Sequence, residues 1–144
     1  MSSNKKLIVV SNEKLSVDEN RFYCDNIDIK SIPEGLQKNF EIIMIAKKSK
    51  LKRYYQINLK NIYSSGNIFS YLLNIFKTFK YKNVNYFLIS ITPYTFVASL
   101  ILFIFGKKTY VYLRSNGYEE YKAILGILGP LIYYFMFSFV TFRS

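Results

Sequence analysis

Residues 85–114, NYFLISITPYTFVASLILFIFGKKTYVYLR, carry the clearest indication of the fold class. The stretch opens with the short apolar run YFLIS, which is typical of a buried strand. Pro93 follows, and proline is favoured in the first turn of a helix because its missing N–H is not needed there. Gly106 then marks the helix end, and KTYVYLR alternates as a strand does. The stretch therefore predicts a strand, a helix and a second strand, the unit from which parallel sheets are built.

The same alternation of apolar strands and helical patterns runs outward from this unit. KKLIVVSN (5–12) and EIIMIAKK (41–48) are apolar runs that predict two further buried strands. SSGNIFSYLLNIFKTFKYK (64–82) has apolar residues three and four apart and predicts a helix. A long apolar helix interrupted by Pro130 closes the chain. This order indicates an α/β fold, a Rossmann-like, doubly wound and mostly parallel sheet in a single domain over residues 1–144.

The segments between these elements carry weaker signals. Residues 13–30 are polar and predict an irregular connection. SIPEGLQKNF (31–40) predicts a short helix with Ser31 as its N-cap and Pro33 near its first turn. LKRYYQINL (51–59) predicts one further short strand. The predicted order is β, α, β, α, β, α, β, α, with or without this extra strand after the second.

Two long uncharged runs leave a membrane protein open as an alternative. Residues 86–105 and 123–142 contain no charged residue, and about twenty apolar residues suffice for a helix to cross a bilayer. The first run divides at Pro93, which leaves a helix too short to span. Lysines also flank that run on both sides and so favour no orientation. The competing hypothesis is a small basic membrane protein with two hydrophobic spans and no enzymatic activity.

Composition limits the chemistry that the chain can perform. The net charge of +11 favours an anionic partner, although the abundance of Lys, Asn and Ile also fits A/T-rich codon usage. Histidine is absent and Cys24 is the only cysteine, which excludes a Cys–His nucleophile pair and a disulfide within the chain. A packing role for Cys24 and a reducing compartment are expected. The aromatic residues lie within apolar runs rather than between the lysines, which argues against nucleic acid as a partner.

Ligands of open parallel sheets lie beyond the carboxyl ends of the strands, and three corners of the chain meet this condition. They are Ser11–Asn12, residues 90–93 and residues 114–117. At the last corner a strand ends at Arg114, and the next helix presents free backbone N–H groups, a combination suited to phosphate or carboxylate. Glu119 or Glu120 offers Arg114 a structural ion pair instead, so a binding role and a clamp role both remain open.

The same residues resemble a known family. LIVVSN (7–12), LQKNFEIIMIAKK (36–48) and residues 85–122 look like the N-terminal domain of GT-B glycosyltransferases of the family 4, or group 1, kind. That domain opens with a strand, carries a helix–Phe–strand segment, and later has an apolar helix, a GKK turn and a strand ending in LR-x-x-G. The resemblance covers almost the whole chain. It departs from the family after the first strand, where Ser11-Asn12-Glu13 replaces the glycine-rich loop of many members.

The resemblance implies the acceptor-binding domain of a glycosyltransferase, which moves a sugar from a nucleotide-sugar to a glycan or lipid-linked acceptor in polysaccharide or cell-envelope synthesis. It implies no cofactor and no metal ion, assigns no catalytic residue, and places the donor site in a C-terminal domain that these 144 residues do not contain. The chain would then be part of a longer or split protein, located in the cytoplasm or peripherally on the acidic inner face of the plasma membrane. The residues expected to line the acceptor cleft are Ser11, Asn12, Thr92, Arg114, Asn116 and Glu119.

Overall fold

The computed structural model describes residues 5–82, 84–89, 92–112, 126 and 128–143. These residues form a mixed α/β architecture of seven strands and four α-helices. In chain order the elements are β1 (Lys5–Asp18), β2 (Arg21–Cys24), α1 (Ile27–Leu36), β3 (Phe40–Lys48), β4 (Tyr55–Ile57), β5 (Asn61–Ser65), α2 (Ile68–Lys77), a 3-10 turn (Thr78–Lys80), β6 (Val84–Ile89), α3 (Pro93–Ile104), β7 (Thr109–Tyr112) and α4 (Leu128–Arg143).

Five of the strands form a parallel sheet with β1 at its centre. The order across this sheet is β5, β3, β1, β6, β7, and every neighbouring pair in the row is parallel. Val9 of β1 lies opposite Met44 of β3 on one side and Phe87 of β6 on the other. The sequence predicted an α/β fold with a mostly parallel sheet, and this prediction is confirmed.

The second half of β1 changes partner. The register of β1 against β3 shifts between Val10 and Lys14, and beyond this bulge β1 pairs antiparallel with β2, which pairs antiparallel with β4. Glu19 and Asn20 form the hairpin turn at φ of 50° and 64°, a conformation that asparagine tolerates better than most residues. The prediction of an irregular connection over residues 13–30 is therefore wrong, because the hairpin gives this polar segment a ladder of backbone hydrogen bonds.

Helices cover both faces of the sheet, but unequally. On one face α2, α3 and α4 pack together, and Tyr71, Leu102 and Tyr133 join a buried cluster with residues of β1, β3 and β6. On the other face α1 packs without a second described helix, and its Ile29 belongs to a cluster that also holds Cys24. Burial raises the pKa of the Cys24 thiol, which keeps it protonated and fits the packing role expected for it.

The first helix begins about one turn earlier than its sequence predicted. α1 starts at Ile27 because the side chain of Asn26 accepts a hydrogen bond from the backbone N–H of Asp28 at 2.9 Å. An N-cap asparagine satisfies a donor that would otherwise lack a partner, so Ser31 is not needed as the cap. Pro33 consequently lies inside the helix and not near its first turn.

The region between β3 and α2 also differs from its prediction. Residues 61–65 form β5, an edge strand of the parallel sheet that the sequence did not predict. The helix predicted over residues 64–82 begins only at Ile68, with Asn67 as its N-cap. The short strand predicted over residues 51–59 is present as β4, but it belongs to the antiparallel extension and not to the parallel sheet.

The uncharged run over residues 86–105 is divided as its sequence predicted. β6 ends at Ile89, α3 starts at Pro93 with Thr92 as its N-cap, and Gly106 has a φ of 66° just after the helix. β7 then pairs parallel to β6. α4, which lies in the second uncharged run, has 16 residues. In the described part of the chain, no helix has the length and apolarity needed to cross a membrane.

Candidate functional site

Two neighbouring strands end their parallel pairing at the same edge of the sheet. Ser11 is the last residue of β1 that pairs with β6, opposite Ile89, and Thr92 caps the helix that follows β6. This edge holds the carboxyl ends of the parallel strands, which is where open α/β sheets bind ligands. We call the region around Ser11, Asn12 and Thr92 the carboxyl corner.

The bulge in β1 shapes the carboxyl corner. Ser11 Oγ accepts a hydrogen bond from the backbone N–H of Glu13 at 3.0 Å, a local turn that serine hydroxyls stabilise. Ser11, Asn12 and Glu13 are absent from the ladder with β3, whose pairing resumes at Lys14. Bulges often redirect a side chain beside a functional site, and here the redirected residue is Asn12.

Asn12 carries the one side-chain polar atom of the described residues that is buried without a hydrogen bond. Its amide oxygen is inaccessible to solvent, and no donor in the described part of the chain reaches it. Leaving a buried acceptor unpaired costs on the order of 1–3 kcal/mol. A bound molecule with a hydroxyl or N–H group would supply the missing donor once the Asn12 side chain turns to expose this oxygen.

Tyr71 of α2 forms a hydrogen bond with the backbone of the carboxyl corner. Its side chain is fully buried, and its hydroxyl donates a hydrogen bond to the backbone carbonyl of Ser11 at 2.8 Å. Burial, and to a lesser degree the neighbouring Tyr94, raises the pKa of Tyr71 above its usual 10.0. The phenol therefore stays protonated and remains a donor. The rings of Tyr71 and Tyr94 meet edge to face with their centroids 5.1 Å apart.

Lys47 brings positive charge to the carboxyl corner from the end of β3. Its Nζ lies 4.2 Å from the centre of the Tyr94 ring, a cation–π contact. Lys14 is the register partner of Lys47 on β1. Desolvation, followed by repulsion from Lys14, lowers the pKa of Lys47. The corner thus combines ammonium groups with an unpaired amide oxygen, which suits a polar ligand that carries hydroxyls.

The hydroxyl of Thr92 is engaged by its own helix. Thr92 Oγ1 accepts a hydrogen bond from the backbone N–H of Thr95 at 3.3 Å, and Thr95 Oγ1 accepts one from the backbone N–H of Thr92 at 2.8 Å. This reciprocal pair is a capping box, which satisfies two backbone donors at the start of α3. The structure therefore gives Thr92 a positioning role at the mouth of the corner.

The structure brings three of the expected site residues to one corner. Ser11 shapes the bulge, Thr92 caps α3, and Asn12 presents the oxygen that lacks a donor. The other three expected residues lie outside the described residues: Arg114, Asn116 and Glu119.

Sequence reasoning missed three residues of the corner, namely Lys47, Tyr71 and Tyr94. Lys47 directly follows the apolar run of β3, so the rule that located the other corners could have located it too. Tyr71 and Tyr94 have no comparable signal. Each fits the apolar face of a helix, and only the packing of that helix against β1 reveals the hydrogen bond to Ser11.

The opposite edge of the sheet carries a different surface. A groove of about 1220 Å³ lies at the amino ends of the strands, and one of its walls includes Glu41 of β3. We call it the basic groove because five lysines at the starts of β1, β5, β6 and β7 line it: Lys5, Lys6, Lys60, Lys82 and Lys108. This groove lies at the edge that parallel sheets do not ordinarily use for ligand binding.

No family model, curated protein or solved structure matches this chain. Among the described residues, no three carboxylate or thiol side chains cluster as metal ligands would. The observations that bear on function are therefore those at the two edges of the sheet.

Proposed function

We propose that this chain is the acceptor-binding domain of a GT-B glycosyltransferase and that the carboxyl corner binds the hydroxyl groups of the acceptor saccharide. In this proposal Asn12 accepts a hydrogen bond from the acceptor, Ser11 and Tyr71 hold Asn12 in place, and Lys47 favours acceptors with an acidic group. The nucleotide-sugar donor binds to a different domain.

The strand order supports a ligand site at this corner. Taken in chain order, the five parallel strands lie across the sheet as 3-2-1-4-5, the order of doubly wound nucleotide-binding sheets of the Rossmann kind. In such sheets the direction of winding reverses between the first and fourth strands, and ligands bind outside the carboxyl ends at that point. Here these two strands are β1 and β6, so Ser11 and Thr92 flank the reversal.

The unpaired oxygen of Asn12 is the observation that carries the proposal. A buried acceptor of this kind is unfavourable in the free protein and becomes favourable when a ligand donates to it. Saccharides suit the site because each hydroxyl can donate one hydrogen bond while accepting others. An aliphatic ligand would leave the cost of the buried oxygen in place.

The test compares Asn12→Leu with the wild-type chain in saccharide titrations followed by protein NMR. We expect neutral and acidic oligosaccharides to shift resonances of Ser11, Asn12 and Tyr94, and Asn12→Leu to weaken that binding about tenfold, equivalent to roughly 1.4 kcal/mol. The variant should unfold at the same or a higher temperature than the wild type, because it removes an unsatisfied buried group.

Asn39→Leu is the matched control, because Asn39 is exposed at the other edge of the sheet. It should leave saccharide affinity unchanged. If a nucleotide-sugar binds at the carboxyl corner more tightly than the saccharide acceptors do, the corner is a donor site and the acceptor assignment is wrong. Loss of stability in Asn12→Leu without loss of affinity would show that Asn12 is a structural residue.

A further inference from the structure

The basic groove concentrates positive charge on one edge of the molecule. Among its lining residues five are lysines and one, Glu41, is a carboxylate. Glu41 is paired with Lys6 at 2.6 Å, so it neutralises only one of the five ammonium groups. Lys60, Lys82 and Lys108 are exposed residues that precede β5, β6 and β7. The edge therefore presents a row of cations that faces away from the carboxyl corner.

An apolar tip lies beside this row of cations. α2 and α3 both end at the same edge, and the rings of Phe76, Phe79 and Phe105 pack there with centroids 5.0–5.7 Å apart. Phe105 is 53% exposed, and Ile104 at the end of α3 is 73% exposed. Large aliphatic side chains are rarely left this open without a partner when they form a contiguous patch.

Lysine side chains contact aromatic rings in and beside the apolar tip. Lys107 Nζ lies 4.9 Å from the centre of the Phe79 ring, and the Nζ atoms of Lys6 and Lys80 lie 4.9 Å and 5.2 Å from the centre of the Tyr81 ring. These two rings are thus in contact with ammonium groups. The exposed surface of this region consists of lysine ammonium groups and the side chains of Ile104 and Phe105.

We infer that this amino-terminal edge of the sheet docks on an acidic phospholipid bilayer, with the lysines of the basic groove against the lipid phosphates and with Ile104 and Phe105 in the acyl boundary. Charge complementarity selects an anionic surface, and the neighbouring apolar tip selects a partner that offers hydrocarbon beneath its charges. This inference does not depend on the carboxyl corner or on its proposed ligand.

A bilayer fits these observations better than a nucleic acid does. Binding of a single strand relies on aromatic faces on which bases stack, and a base stacking on Tyr81 or Phe79 would have to displace a lysine that contacts the ring. The 73% exposed Ile104 would contribute nothing to phosphate recognition. In an interfacial site the same side chain loses contact with water, which is favourable.

The first test measures co-flotation of the 144-residue chain with phosphatidylcholine vesicles that do or do not contain 50% phosphatidylglycerol. We expect binding only to the acidic vesicles, with release in 0.5 M NaCl. The triple change Lys60→Gln, Lys82→Gln and Lys108→Gln should weaken binding about a hundredfold, since each lysine near an acidic surface contributes about fivefold.

The matched control removes three lysines at the other end of the molecule, Lys48→Gln, Lys50→Gln and Lys52→Gln, which gives the same net charge. This control should lose less than about threefold, because charges far from the surface are screened. Equal losses in the two triple variants would overturn the proposal. So would displacement from vesicles by 10 mM inorganic phosphate, which would indicate a site for a small anion.

The second test addresses the apolar tip. Ile104→Gln should weaken binding to the acidic vesicles about fivefold, whereas Leu51→Gln, at a residue that is also 73% exposed but lies beyond β3, should change it less than twofold. Both variants alter exposed positions and are expected to fold. An unchanged affinity of Ile104→Gln would overturn the docking mode. If the groove triple variant loses affinity for a single-stranded oligonucleotide and not for vesicles, the surface binds nucleic acid and the proposal fails.

Discussion

The two ends of the segment of β1 that pairs with β6 satisfy their polar groups in different ways. At the carboxyl corner, hydroxyls are buried and bonded to the backbone: Tyr71 donates to the carbonyl of Ser11, and Thr92 and Thr95 bond each other's N–H groups. At the amino edge, charged groups stay in contact with water, and the ion pair between Lys6 and Glu41 joins side chains that are 27% and 45% exposed.

This difference determines how each end should respond to substitution. A buried hydrogen bond depends on the position of single atoms, and losing one partner leaves the other unsatisfied. Exposed charges act through their sum over several ångströms and tolerate the exchange of any one of them. Substitutions at the carboxyl corner should therefore lower the free energy of unfolding. Substitutions at the amino edge should weaken binding and barely change the free energy of unfolding.

The largest effect is expected at the residue that anchors the carboxyl corner. Tyr71→Ala should lower the free energy of unfolding by about 3–5 kcal/mol, because it opens a cavity in the cluster beneath α2 and releases the carbonyl of Ser11. Urea unfolding followed by circular dichroism measures this loss. Tyr54→Ala, at an 81% exposed tyrosine, should change stability by less than about 0.5 kcal/mol. Similar losses in the two variants would contradict the anchoring role.

Alkaline pH should destabilise the fold through buried phenols, of which Tyr71 lies at the carboxyl corner. Burial raises the pKa of Tyr71 and of Tyr86 above 10.0, so these groups contribute stability that is fully present below pH 10 and lost as pH rises further. Ionisation of the buried Tyr71 phenol should cost about 1.4 kcal/mol per pH unit above 10. Unfolding free energies of the wild type and Tyr71→Phe at pH 9, 10 and 11 test this directly. The wild type should lose its advantage over Tyr71→Phe as pH rises, and parallel curves would refute the expectation.

Thr92 tests whether the corner needs this hydroxyl for its ligand or only for its helix. Thr92→Ala should lower the free energy of unfolding by about 1 kcal/mol, the usual cost of removing a helix cap. Thr92→Ser should restore most of it. Saccharide affinity of the folded Thr92→Ala protein should stay within about twofold of wild type. Loss of affinity at unchanged stability would instead make Thr92 a ligand contact, as the sequence suggested.

The smallest effect on stability is expected at Glu41. Glu41→Gln removes the partner of Lys6 in an exposed ion pair, and such pairs contribute about 0–1 kcal/mol. The melting temperature should therefore change by no more than a few degrees. Binding to acidic vesicles should increase severalfold, because the basic groove loses a negative charge. Weaker binding would show that the paired carboxylate organises the groove.

The sequence predicted the side of the sheet formed by β6 and β7 better than the side that ends in β5 and the antiparallel extension of β1. The β6–α3–β7 unit was predictable because Pro93 and Gly106 punctuate an otherwise continuous apolar run, and each acts through its own backbone geometry. β5 was not, because an edge strand with one partner buries few side chains and NIYSS has no apolar run. The outer half of β1 was missed because its turn uses Glu19 and Asn20 at positive φ in place of the glycine that would have signalled a hairpin.

The candidate site was predictable only where it follows directly from a strand end. Ser11 and Asn12 come immediately after an apolar run, so the rule for open sheets located them. The rule could not show that Asn12 would sit on a bulge, because a bulge depends on pairing with β3. It could not find Tyr71 either, since that residue is 60 positions from the carbonyl that it holds.

β1 connects the basic groove to the carboxyl corner, so its length sets the distance between these two surfaces. Lys6 lines the basic groove and Ser11 lies at the carboxyl corner, five residues further along one strand. At about 3.3 Å per residue, this rise is roughly 17 Å. If the groove rests on lipid phosphates with β1 upright, a saccharide at the corner is held about that far above the bilayer. A lipid-linked acceptor would then reach the corner only through a glycan long enough to cross that distance. The length of the strand would therefore set the shortest glycan that can bind.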